Sequence, residues 1–129
     1  MKDKTLISNR LLCLLCDDLI ISKHGHDMQW CSCRQCAIDG GLNYTRITGE
    51  SHNYITMPVY SNKHSDHRKY LYWGRNYDKD MNRLPKTEWV LIKDMDTDHI
   101  KAVLDPRWRI GEFYTKMFNR ELKYRLKLK

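Results

Sequence analysis

The chain has 129 residues, 41% of them hydrophobic, and a net charge of +7 from 23 Lys and Arg against 16 Asp and Glu. Its mean hydropathy is −0.73, so the core is modest and the surface wet. The length fits one domain, or one domain with a small metal-stapled part, and no stretch reaches the roughly 18 apolar residues that a membrane span needs.

The longest apolar runs, Leu11 to Cys16 and Leu19-Ile20-Ile21, are short and split by Asp17-Asp18. The N-terminal residues show no apolar core or small-residue cleavage site of a secretion signal. No membrane partner is expected, and the expected location is the cytoplasm.

Residues 1–10 are polar and read as frayed until Leu11. Leu19-Ile20-Ile21 and Met28-Gln29-Trp30 read as short strands around a turn at residues 22–27. Asp39-Gly40-Gly41 is a second turn signal. Tyr44 to Thr48 alternates and reads as a strand. Residues 50–68 are polar and His-rich, with one strand-like piece, Tyr54 to Met57, before Pro58. Lys69 to Trp73 is β-prone, residues 75–87 read as a charged loop, and Glu88 to Ile92 reads as a strand. Asp96 or Thr97 can then cap a short helix carrying Ile100, Val103 and Leu104, which Pro106 stops. A last helix is expected from near Trp108. Its apolar residues Ile110, Phe113, Tyr114, Met117, Phe118, Leu122 and Leu126 recur at helical spacing.

The expected fold is therefore α+β: a zinc-ribbon-like β subdomain over residues 1–49, then short strands and a C-terminal helical pair over 50–129. The two are expected to form one compact body.

All five cysteines lie between positions 13 and 36. Such clustering, with no secretion signal, points to metal and away from disulfides. Cys13-x-x-Cys16 is a knuckle in which two thiolates reach one tetrahedral ion while backbone N–H groups bond the sulfurs. The other half comes from Cys31-Ser32-Cys33-Arg34-Gln35-Cys36. Cys33 with Cys36 repeats the CxxC spacing, towards which spacing alone leans slightly. Cys31 with Cys33 makes a CxC pair and leaves Cys36 facing the core. A four-cysteine site is closed, so the expected cofactor is structural Zn2+ and no catalysis is expected of it.

The string Cys13-x-x-Cys16-Asp17, Ser22-Lys23-His24-x-His26-Asp27, Trp30-Cys31-x-Cys33, Asp39-Gly40-Gly41 and Tyr44-x-Arg46 resembles a group of small, uncharacterised bacteriophage proteins. These carry CxxC, CxC and a DGG turn, with an apolar residue where this chain has Cys36. The resemblance implies the ligands Cys13, Cys16, Cys31 and Cys33. It extends weakly to Thr97-Asp98-His99-Ile100 and to Glu121-Leu122-x-Tyr124-Arg125, and implies no activity.

His24, His26 and Asp27 could ligate a metal, as in a nuclease, or simply fix the hairpin turn. His64 and His67 read as solvated loop residues. The segment from Arg107 to Lys129 holds eight basic residues against Glu112 and Glu121. Arg68, Lys69 and Arg75 interleave with Tyr70, Tyr72 and Trp73, a mixture that suits unpaired nucleic acid, whose bases stack while cations hold phosphates. Candidate nucleic-acid contacts are thus Arg68, Lys69, Arg75, Arg120, Lys123 and Lys127.

The expected function is non-enzymatic binding of nucleic acid or a nucleoprotein complex. The alternatives are a phage-encoded modulator that binds and inhibits a host protein, and a metal-dependent nuclease. The sequence does not fix an oligomeric state.

Overall fold

A computed structural model of the chain describes residues 4–78 and 80–128. It is an α+β structure in two units, the first ending at Asn62 and the second beginning at Lys63. Among the described residues, no helix is long and apolar enough to cross a membrane.

The first unit is built on β1 (Leu6–Cys13). It pairs antiparallel with β2 (Leu19–Ser22), which sets Leu11 opposite Ile20. On its other edge it pairs with β6 (Tyr54–Thr56) and, nearer its start, with β7 (Val59–Tyr60). Period-2 alternation sends Ile7, Asn9, Leu11 and Cys13 to one face, and all four are buried.

This central strand begins at Leu6, inside the stretch read from sequence as frayed. Polar Ser8 and Asn9 mask its period. Asn9 is buried because it is satisfied: its Nδ2 donates to the Tyr44 carbonyl at 3.2 Å, and Thr45 Oγ1 donates to its Oδ1 at 3.4 Å. The expectation for residues 1–3 lies outside the described residues.

A second sheet joins β3 (Gln29–Trp30), β4 (Ala37–Asp39) and β5 (Arg46–Thr48) in that order, all antiparallel. The DGG turn leads from β4 towards β5. A Cβ on Gly40 would sit 1.9 Å from the Tyr44 carbonyl oxygen, and one on Gly41 2.3 Å from the His24 backbone. Both glycines have positive φ, so the turn needs them twice over. The core of this unit is small: Leu11, Cys13, Ile20, Cys31, Cys36 and Ile38, with Cys16, Ile47 and Tyr54 packed against it.

The second unit departs further from its sequence reading. Residues 64–70, read as a polar loop running into a strand, form helix α1 (His64–Tyr70). Strand β8 (Tyr72–Tyr77) follows and pairs with β9 (Arg83–Leu91), so much of the expected 75–87 loop is hairpin. Pro85 is tolerated because the register breaks between the Arg75–Glu88 and Tyr77–Arg83 pairs, where no ladder N–H is demanded of it.

Helix α2 (Thr97–Val103) lies where Asp96 and Thr97 place it. Helix α3 (Glu112–Lys127) starts later than Trp108, because Gly111, at φ 88°, is its N-cap. Its stripe buries Met117 and Phe118, while Leu126 is exposed. Trp73 stands edge-on to Phe118 and Tyr114, with ring centroids 5.1 and 5.3 Å apart.

Candidate metal centre

Four thiols converge in the first unit. The sulfurs of Cys13, Cys16, Cys31 and Cys33 all lie within 4.8 Å of one another. Cys13 and Cys33 are 3.7 Å apart and Cys31 and Cys33 3.6 Å. A tetrahedral ion with metal–sulfur bonds of about 2.3 Å sets its sulfurs about 3.8 Å apart. The spacing of the thiols fits that tetrahedron.

Each half of the centre is a tight turn. After β1, Asp17 N–H donates to the Cys13 carbonyl at 2.9 Å, and the chain turns at Asp17 with φ 59°. The backbone N–H groups of Leu15 and Cys16 then point at the Cys13 sulfur. Between β3 and β4, Arg34 N–H donates to the Cys31 carbonyl at 3.0 Å and Arg34 has φ 60°. The Cys36 N–H donates to the Cys31 sulfur at 3.3 Å.

The two turns are joined by Asp18, whose Oδ2 accepts from Ser32 N–H at 2.9 Å and Ser32 Oγ at 2.8 Å. Sequence reasoning passed over this lock. An acid two residues beyond a CxxC pair was its only signal.

Cys36 stays outside the group. It is fully buried, and its thiol faces the Asn53 carbonyl at 3.8 Å. The Cys33–Cys36 pairing towards which spacing leans is therefore not the one that the turns assemble. Cys36 still serves the centre, through its backbone N–H.

The thiols compete electrostatically. Burial pushes Cys31 up, but the N–H of Cys36 and the thiols of Cys33 and Cys13 outweigh it and bring Cys31 down to about 6. Burial also opposes ionisation of Cys13, and the N–H groups of Cys16 and Leu15 outweigh it to lower its pKa. Cys33 receives an N–H from Gln35, yet desolvation and the thiols of Cys31, Cys13 and Cys16 push it up to about 12. Burial and the neighbouring Cys13 raise Cys36 to about 11. Like charges this close cannot all form unaided. A divalent cation at their centre removes the conflict, because it holds thiols as thiolates.

The turn at residues 22–27 is held by its own side chains and by Gln29, Gly41 and Tyr44. Asp27 Oδ2 accepts from Lys23 N–H at 2.8 Å and its Oδ1 from Gln29 Nε2 at 2.6 Å. Its carbonyl accepts from Ser22 Oγ at 2.7 Å. His24 Nδ1 lies 2.9 Å from the Gly25 carbonyl, and His26 Nδ1 lies 3.1 Å from the Tyr44 hydroxyl. These side chains fix the hairpin tip; among the described residues they join no further metal-ligating group.

The six basic candidates differ in their surroundings. Arg68 is a partner of buried Glu121, with Nε to Oε1 at 3.0 Å and Nη2 to Oε2 at 3.3 Å. Arg75 pairs with Glu88 at 2.7 Å. Lys69 is exposed on α1. Arg120, Lys123 and Lys127 are exposed on α3 at spacings of three and four, so they share one face.

The histidines read as solvated are not: His67 is buried, and His64 Nε2 lies 2.9 Å from Glu121 Oε1. Glu121 thus has three cationic or cation-capable partners, His64, Arg68 and Arg125.

The first unit therefore carries a closed four-cysteine cluster able to hold a metal ion, set between two short antiparallel sheets. Residues 5–49, about a third of the chain, match the model of a family described as a domain of unknown function (DUF7695). The match contains the whole cysteine cluster. No curated protein and no solved structure matches the chain.

Proposed function

We propose that Cys13, Cys16, Cys31 and Cys33 hold a structural Zn2+ ion and that the protein is a non-enzymatic binder of nucleic acid or nucleoprotein complexes. The observation that carries the zinc reading is the convergence of four thiols at tetrahedral spacing. Thiolate ligands select zinc among the common divalent ions. Four protein ligands leave no open position for a reacting water, so the ion would staple the fold and supply no catalysis. The small core around it gives the staple its purpose.

The nucleic-acid reading is supported by the net charge of +7 and by the row of Arg120, Lys123 and Lys127 on the outer face of α3. Phosphate contacts release counterions, so affinity should fall steeply with salt. The test is fluorescence anisotropy with labelled single-stranded and duplex oligonucleotides over a salt series. A steep negative slope of log affinity against log salt supports the reading. No binding at low salt would remove it.

A second reading, a modulator that binds and inhibits a host protein, is supported by exposed aromatic side chains. Trp30, Tyr60 and Trp108 are 40%, 54% and 60% exposed. Tyr and Trp anchors dominate protein interfaces, and such binding should weaken little with salt. The resemblance to phage proteins supports a phage-encoded protein acting in the host cytoplasm under either reading. A nuclease based on His24, His26 and Asp27 is the weakest reading, since Asp27 spends both carboxylate oxygens on the turn.

A further inference from the structure

The second unit contains a cleft of about 1040 Å³ between the β8–β9 hairpin and the chain from Asp96 to Ile110. Sites for small ligands run from about 300 to 1000 Å³, so this one has room for a nucleotide. Its lining combines two chemistries that a simple phosphate-tracking groove does not need.

The first is exposed aromatic surface. Tyr77 and Trp108 both line the cleft and are 45% and 60% exposed. Large rings left in water at the rim of one cavity are surface that a flat partner would cover.

The second is charge of both signs. Arg75 and Arg109 line the cleft together with Asp96 and Asp98. Arg75 Nη2 is held by Glu88, but its Nε is buried and has no hydrogen-bond partner among the described residues. Asp96 is the N-cap of α2, yet its side chain makes no capping hydrogen bond. Asp78, also in the lining, is already used: its Oδ1 accepts from the N–H groups of Asp80 and Asn82.

Carboxylates would repel a polyanion lying along the cleft. They suit the edge of a nucleobase, whose amino and imino groups are donors, while guanidinium groups suit the attached phosphate. One unstacked nucleotide presents a ring face, a donor-bearing edge and a phosphate together.

We infer that this cleft binds a single unstacked nucleotide of a single-stranded nucleic acid, with its base against Trp108 and Tyr77, its edge towards Asp96 and Asp98, and its phosphate towards Arg75 and Arg109. This rests on the nucleic-acid reading above and deepens it: the α3 face supplies sequence-independent attraction, and the cleft supplies selection for unpaired strands.

The test uses the full-length, zinc-loaded protein and labelled strands of about 12 nucleotides. Single-stranded RNA, single-stranded DNA, a duplex and an arginine-rich peptide are compared. Base–aromatic stacking predicts that Trp108→Ala weakens single-strand binding about 5- to 150-fold. Duplex affinity and salt slope should stay unchanged, and Trp108→Phe should recover much of the loss. Asp98→Asn should alter the preference among homopolymers.

Tighter RNA than DNA binding would identify the 2′-hydroxyl as a further contact; equal binding would assign recognition to base and phosphate alone. Either result supports the site. Wild-type protein that binds single strands while Trp108→Ala binds them equally well overturns the cleft and spares the nucleic-acid reading. Wild-type protein that binds neither strands nor duplex removes both. Binding of the arginine-rich peptide in preference to every oligonucleotide would reassign the carboxylates and rings to a cationic partner.

Discussion

Arg68 grips Glu121 with two hydrogen bonds, Nε to Oε1 at 3.0 Å and Nη2 to Oε2 at 3.3 Å, and the carboxylate is fully buried. Arg125 adds Nε to Oε2 at 2.7 Å, and its other nitrogens reach the Ile92 carbonyl and Thr97 Oγ1. Arg68 also lies 4.4 Å over the Tyr124 ring. The Glu121 carboxylate ties α1 to α3, and Arg125 carries the link on to the Ile92 turn and the start of α2.

Removing that carboxylate should leave two guanidinium groups facing each other in the interior. Glu121→Gln is expected to destabilise the second unit by about 3–5 kcal/mol, the usual cost of breaking one side of a buried ion pair. Urea denaturation followed by far-UV circular dichroism measures it. A loss below about 1 kcal/mol, the range of surface pairs, would mean that the cluster does not hold the helices.

The same cluster predicts acid sensitivity. Burial alone would push the Glu121 carboxyl up, but Arg68 and Arg125 outweigh it and hold it below the ordinary 4.5. A group depressed in the folded state contributes stability that is complete above its unfolded value. That contribution is lost as pH falls through the folded value. Helical signal should therefore hold at pH 5 and above and decline below pH 4.5. Glu121→Gln should flatten that decline; an identical acid profile in the variant would contradict the assignment.

Replacing Arg120, Lys123 and Lys127 with Gln should change binding and spare stability, because all three are exposed on the outer face of α3. Each lost phosphate contact should flatten the slope of log affinity against log salt by about 0.7 to 0.9. Arg68→Gln should do the reverse, lowering the melting temperature and leaving the slope alone. Unchanged affinity in the triple variant would take α3 off the binding surface.

That the cysteines converge was legible because a CxxC knuckle encodes a local turn, and local turns survive in any context; spacing alone leaned towards Cys33 with Cys36, and the CxC pair came only with the resemblance. The DGG turn was legible for the same reason: two positive-φ glycines leave few choices. The start of α2 followed from the residue types at Asp96 and Thr97, and the Met117–Phe118 stripe from helical period.

What stayed hidden depended on distant partners. β1 looked disordered because its inward Asn9 is polar, and only the Tyr44 carbonyl and the Thr45 hydroxyl make it a core residue. Residues 64–68 looked like a solvated loop because the acid that satisfies His64 and Arg68 lies more than fifty residues further along the chain. Arg68 was read as a phosphate contact for the same reason: charge is visible in a sequence, but its partner is not.

Metal removal should act unevenly. Structural zinc in small peptides binds with about 10–16 kcal/mol at neutral pH, far more than the small core around residues 11–47 can replace. A chelator should abolish the tertiary near-UV signal and amide protection of β1 to β5. Helix α3, with its own buried Met117, Phe118 and Glu121, should keep most of its protection. Uniform loss of protection along the whole chain would contradict this. Acid should mimic the chelator, since protonated thiols release the ion.

The most direct test of the central claim is the zinc content, by elemental analysis, of protein purified without chelator, for the wild type and five single Cys→Ser variants. One zinc per chain is expected in the wild type and in Cys36→Ser, whose thiol lies outside the cluster. Cys13→Ser, Cys16→Ser, Cys31→Ser and Cys33→Ser should each lose it. A wild type without zinc would contradict the account outright. A Cys36→Ser variant that loses zinc while Cys31→Ser retains it would show that the second half of the site is Cys33 with Cys36.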